Sequence, residues 1–158
     1  MSLSNKLTIQ EFLLEVPKEY YDFVSQVHEV MTKNKYKAKI EQKKKTGLTV
    51  TYLQHKKSKM LFQYFLREDV LSINFFAIFF DEFNGFLDNL PSNIIKEIED
   101  YKNCTKSTNV PNGCNPHCSG PEFTIKNVQY HKCEYGLINI NVNSESTKLL
   151  SVLDKLDE

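Results

Sequence analysis

The stretch whose reading decides the fold is YKAKIEQKKKTGLTVTYLQHKKSKMLFQYFLREDVLSINFF, residues 36–76. Its side chains alternate with a period of two, the signature of extended strands. In 36–42, Tyr36, Ala38 and Ile40 fall on one side and Lys37 and Lys39 on the other. KKKTG (43–47) reads as a turn, LTVTYL (48–53) alternates again, and QHKKSK (54–59) is a second turn. MLFQYFL (60–66) and VLSINFF (70–76) are two further strands joined tightly around Glu68-Asp69. Four strands with short connections make an antiparallel meander.

Helical periods flank the meander. Thr8-Ile9-Gln10-Glu11 reads as a capping box, in which the Thr hydroxyl accepts from the N3 amide and the Glu reaches back. Ile9, Phe12, Leu13 and Val16 follow at helical spacing. Pro17 opens a second helix, striped by Tyr20, Phe23, Val24, Val27, Val30 and Met31, which should stop near Asn34. Beyond the meander, Asp81 is read as the N-cap of a helix carrying Phe83, Phe86, Leu87 and Leu90. Pro91 ends that helix and admits another through Ile94, Ile95, Ile98 and Tyr101. EFTIK (122–126) and a run ending in LININ (137–141) are expected to pair as a hairpin about Asn127. Ser144 is expected to cap a last helix striped by Leu149, Leu150, Val152, Leu153 and Leu156. Segregated runs of helix and strand predict an α+β fold in one domain over residues 1–158, with a twisted antiparallel sheet of about five or six strands and helices packed on it. A frataxin-like two-layer arrangement is a fold-level analogy and carries no chemistry.

Charge is distributed unevenly. Ten of the twenty basic residues lie between Lys33 and Lys59, against one of the twenty acids, Glu41; that stretch carries a formal +9 and the remainder −9. Lys35, Lys37 and Lys39 should share a strand face. Lys43, Lys44 and Lys45 occupy one turn, and Lys56, Lys57 and Lys59 the next. Consecutive turns of a meander lie at opposite ends of its strands, so the lysines form a stripe and not a knot. Such a stripe can follow a phosphate backbone, can guard an edge strand against pairing, or can meet an acidic surface on a partner or a second copy. The chain has a single arginine, Arg67, so bidentate reading of guanine is not expected. Tyr36 and Tyr52, the nearby aromatics, fit core positions. His28 borders a helical stripe and His55 sits in a turn.

The four cysteines fall as C-x9-C-x3-C-x14-C, at 104, 114, 118 and 133. Cys104, Cys114, Cys118 and Cys133, with His117 and His131 as alternates, supply the donor types of a structural zinc site. Such a clip would offset the entropy of ordering an irregular segment. The same cysteines also suit small apolar core positions, or a thiol-dependent or redox role if one is held as thiolate near a base. The run CNPHCSGPEFTIKNVQYHKCEYG (114–136) resembles a pattern of small uncharacterised proteins from Gram-positive, clostridial-type bacteria. Cys114, Cys118, Phe123, Ile125, Tyr130, Lys132 and Cys133 carry the resemblance, while Ser119–Glu122 and Glu134 depart from it. It implies kinship and no assigned activity.

No Walker loop, G-x-G-x-x-G, G-x-S-x-G, HExxH or EF-hand loop is present. Asp81-Glu82 is a helix start before it is an acid/base pair. The first thirty residues hold no basic segment followed by an unbroken apolar run, and the longest apolar candidate, FFAIFF (75–80), is six residues. The sequence therefore reads as a cytoplasmic binding or interaction module with no membrane partner, leaning away from catalysis. Its alternatives are nucleic-acid or phosphate binding through 33–59 and thiol chemistry.

Overall fold

The computed structural model describes residues 7–45, 47–56, 58–101, 121–132 and 137–154. The Thr8 capping box forms: its hydroxyl accepts from the Glu11 amide and the Glu11 carboxylate accepts from the Thr8 amide. It starts α1 (Ile9–Glu15), which buries Ile9 and Phe12. Pro17 then caps α2 (Lys18–Lys33), whose buried stripe is Phe23, Val24, Val27 and Met31.

The meander follows as β1 (Lys37–Lys43), β2 (Gly47–Leu53), β3 (Met60–Arg67) and β4 (Val70–Phe76). Gly47, at φ +70°, supplies the left-handed residue that lets the first turn re-enter the sheet. Glu68 and Asp69 both have positive φ, as a two-residue turn between right-twisted strands requires. Each neighbouring pair is antiparallel, and the five-stranded order is β1-β2-β3-β4-β7. The fold is α+β with an antiparallel sheet, as expected, and the sheet is open.

Register divides the sheet into two unlike faces. Tyr52, Phe62, Phe75 and Ile138 line one row of the first face, and Val50, Tyr64, Ile73 and Ile140 the next. All eight are buried, and α1, α2 and α3 (Ala77–Glu82) pack on them through Phe12–Tyr64, His28–Tyr52 and Phe62–Phe79 ring contacts. The opposite face carries Lys39, Thr51, Gln63, Asn74 and Asn139 in one row, then Glu41, Thr49, Phe65, Ser72 and Asn141. Its polar groups satisfy one another: Thr51 Oγ1 donates to Gln63 Oε1, Ser72 Oγ to Asn141 Oδ1, and Asn139 Nδ2 to Asn74 Oδ1.

Three expected elements differ. The helix read over 81–90 is not formed; α3 ends at Glu82, with Asp81 in its last turn, and a 3₁₀ turn spans Leu87–Asn89 before α4 (Ser92–Asp100). The first four residues, Ala77, Ile78, Phe79 and Phe80, are all buried and the polar pair Asp81-Glu82 comes only at the end, so this helix shows no polar period. The hairpin forms between β5 (Glu122–Ile125) and β6 (Val128–His131), closed by Lys126 and Asn127 at positive φ. β7 (Leu137–Asn141) instead joins the main sheet beside β4, where Ile138 and Ile140 complete the apolar rows. Finally, Asn143 and not Ser144 caps the C-terminal segment, which begins as a 3₁₀ turn (Ser144–Lys148) and continues as α5 (Leu149–Leu153). No helix among the described residues is long and apolar enough to cross a membrane.

Candidate functional site

The lysine stripe lies where the strand order leaves β1, at the sheet edge. Lys37 and Lys39 are exposed, and the Lys39 side chain is 61% exposed. Residues two apart on a strand stand about 6.7 Å apart, so these ammonium groups repeat along the edge. Glu41 partly neutralises the row, 3.2 Å from Lys39 Nζ and 3.9 Å from Lys43 Nζ. Lys43 also reaches Gln63 Oε1. Lys44 and Lys45 are exposed at one end of β1; Lys35 and Lys56 are exposed at the other, where Lys37 pairs with Leu53. Lys59 is half-buried. Lys57 lies outside the described residues.

Lys35 owes its position to the way α2 ends. The Tyr36 amide donates to the Met31 carbonyl (2.9 Å) and the Lys35 amide to the Thr32 carbonyl (3.0 Å). These two bonds form a Schellman motif, in which the residue after the C-cap is left-handed and usually glycine. Here it is Lys35, at φ +65°. The motif turns the chain directly into β1 and buries Tyr36.

Tyr36 organises a second feature at the same end. Its hydroxyl donates to Glu82 Oε1 (3.1 Å), and Gln54 Nε2 donates to Glu82 Oε2 (3.1 Å). This orientation of the Gln54 amide is the one that gives the carboxylate a donor. Gln54 Oε1 is then buried with no hydrogen-bond partner. Burial first, and the negative Glu82 second, push the Tyr36 phenol above its ordinary range. His55 stacks on Tyr36, with ring centroids 4.3 Å apart and planes 27° from parallel, and is itself exposed. Gln54, His55, Lys56 and Glu82 line a cleft of about 280 Å³. The sequence offers no sign of this stack, because His55 stands alone in a turn and meets Tyr36 only through the β1–β2 pairing. Glu82 is half-buried at the end of α3 and engaged by Tyr36 and Gln54, where the sequence placed it at a helix start.

Cys104, Cys114, Cys118, Cys133 and His117 all lie outside the described residues. His131 is described; its Nδ1 lies 3.6 Å from Glu122 Oε1 across the β5–β6 pair. Among the described residues no group of three or more His, Cys, Asp or Glu is placed to hold a metal. Neighbouring Lys132 is 3% exposed and donates to the Tyr101 carbonyl (2.8 Å), with its ammonium over the Tyr130 ring. Burial lowers its pKa, opposed by Asp100. Lys132 thus ties the hairpin to the end of α4, a structural role its pattern in the sequence did not indicate. Half-buried His28 begins a hydrogen-bonded chain that runs inward: Nδ1 lies 2.9 Å from the Tyr52 hydroxyl, which lies 2.6 Å from the Tyr64 hydroxyl. No family model, curated protein or solved structure matches the chain.

Proposed function

We propose that the chain is a binding module and that the lysine-bearing edge is its contact surface for a phosphate polymer, nucleic acid included. The observation that carries the reading is the placement of Lys37 and Lys39 side by side on an edge strand, with exposed Lys35 and Lys56 at one end and Lys44 and Lys45 at the other. A row of ammonium groups at regular spacing displaces condensed counterions along a polyanion, so affinity falls steeply with salt. A titration of fluorescent oligonucleotide and of polyphosphate against rising salt tests it. Binding that weakens steeply with salt is expected; no binding of either probe at low salt ends the reading. The sulfur-based readings, a zinc clip or a reactive thiol, rest on Cys104, Cys114, Cys118 and Cys133. Metal analysis of protein purified without added zinc, together with thiol counting, tests both.

A further inference from the structure

Lysines alone do not distinguish a nucleic acid from any other polyanion; stacking surfaces do, since every base has a flat face and phosphate has none. The described residues place one such surface at the end of the lysine row. Tyr36 is buried and fixed at three points: by the Schellman turn, by its hydrogen bond to Glu82, and by ring contact with Phe83 at 5.9 Å. His55 lies flat on this fixed ring and is otherwise exposed, beside a cleft just below the usual size range of ligand sites. A histidine ring covered on one side and open on the other is a platform for an unstacked base. Beside the His55 ring the cleft wall carries one carboxylate, Glu82, and one ammonium, Lys56. Glu82, whose carboxylate accepts from Tyr36 and Gln54, disfavours an anion beside it. Phosphates are drawn to Lys56 on the cleft wall and to Lys35 and Lys37 beyond it.

We propose that the ligand is a single-stranded nucleic acid, with one base stacked on His55 in the cleft and the adjoining backbone crossing the β1 edge to Lys37 and Lys39 on the opposite face of the sheet. This rests on the lysine-edge reading and adds the ligand class and a residue that selects it. Duplex DNA, whose bases are already stacked, has no base to offer.

The test is fluorescence anisotropy with a labelled single strand, the matching duplex and inorganic polyphosphate as competitor. The proteins compared are wild type, His55→Ala, His55→Phe and the Lys37→Gln/Lys39→Gln double variant. His55→Ala is expected to weaken single-strand binding about tenfold with an unchanged salt slope. His55→Phe keeps a ring and is expected to restore binding. The lysine pair is expected to lower the salt slope by about 1.4, at roughly 0.7 per phosphate contact of a single strand. Thermal melting of His55→Ala separates loss of the platform from loss of the turn. If His55→Ala melts like wild type and binds like wild type, the inference is overturned while the lysine edge stands. Equal affinity for duplex and single strand overturns it in the same way. If wild type binds none of the probes at low salt, the lysine-edge reading itself has failed.

Discussion

At position 35 a lysine occupies a backbone conformation that costs an L-residue about 1–2 kcal/mol relative to glycine. Glycine gives part of that back as extra freedom in the unfolded chain. Lys35→Gly is therefore expected to stabilise the protein by roughly 0.5–1 kcal/mol, read as a higher midpoint in urea with unchanged slope. An unchanged or lower midpoint would show that the lysine side chain contributes more than its backbone costs. The His28–Tyr52–Tyr64 chain makes a second prediction. Tyr52 and Tyr64 are fully buried, and burial raises both phenol pKa values, so neither ionises at neutral pH. Two hydroxyl protons then share the bonds along the chain, and neutral His28 Nδ1 accepts from Tyr52, which accepts from Tyr64. A protonated His28 donates instead, and one buried hydroxyl proton loses its acceptor. Burial accordingly lowers the His28 pKa below 6.5. The unfolded chain binds this proton more readily, so stability is complete above about pH 6.5 and falls as pH drops toward the folded value. His28→Gln is expected to flatten that part of the pH–stability curve, and a curve that keeps its slope would reject the chain's polarity. Tyr64→Phe leaves the Tyr52 hydroxyl oxygen short of a donor and is expected to cost about 1 kcal/mol.

The elements show where local preference and tertiary demand diverge. α3 is short, so the aromatic cluster it enters, and not helix propensity, holds it in place. Phe79 is fully buried, edge-on to Phe62 at 5.7 Å and to Phe75 at 5.0 Å, and tilted against Phe83 at 4.7 Å. Phe79→Ala empties the junction of α3 with the sheet, and a loss of about 3–5 kcal/mol is expected in chemical denaturation. A loss below about 1 kcal/mol would mean that the sheet closes over the gap. The β3–β4 and β5–β6 turns use Glu68-Asp69 and Lys126-Asn127 where Asn-Gly is the favoured pair. In the second, the Lys126 amide donates to Asp88 Oδ1 (2.7 Å) and the Thr124 amide to Asn84 Oδ1 (3.0 Å). These bonds dock the hairpin on the segment between α3 and α4, a tertiary anchor invisible to local turn rules.

At the scale of the whole molecule the sheet has two ends of different character. β1 presents lysines, whereas β7 alternates Ile138 and Ile140 with Asn139 and Asn141 and carries no charge. Charged edges resist pairing with other chains. Lys37→Val with Lys39→Val is expected to raise concentration-dependent association in size-exclusion chromatography. A variant that elutes as wild type does would remove the guarding role and leave binding as the account of those lysines.

The amino-acid order by itself determined the meander and the lysine row, because a period of two places every second residue on one face whatever surrounds the strand. It likewise determined the Thr8 cap and the stripe of α2, which depend on neighbours within one or two turns. It could not yield α3, since a six-residue helix that opens on four buried apolar residues shows no polar period, nor the home of β7, since Ile138 and Ile140 suit a hairpin and a sheet edge equally well. The Tyr36–His55–Gln54–Glu82 group was decided only by the tertiary structure. Its members come from the end of α2, the β2–β3 turn and the end of α3, and each has an ordinary local role; only the pairing of β1 with β2 and the seating of α3 bring them within hydrogen-bonding and stacking distance.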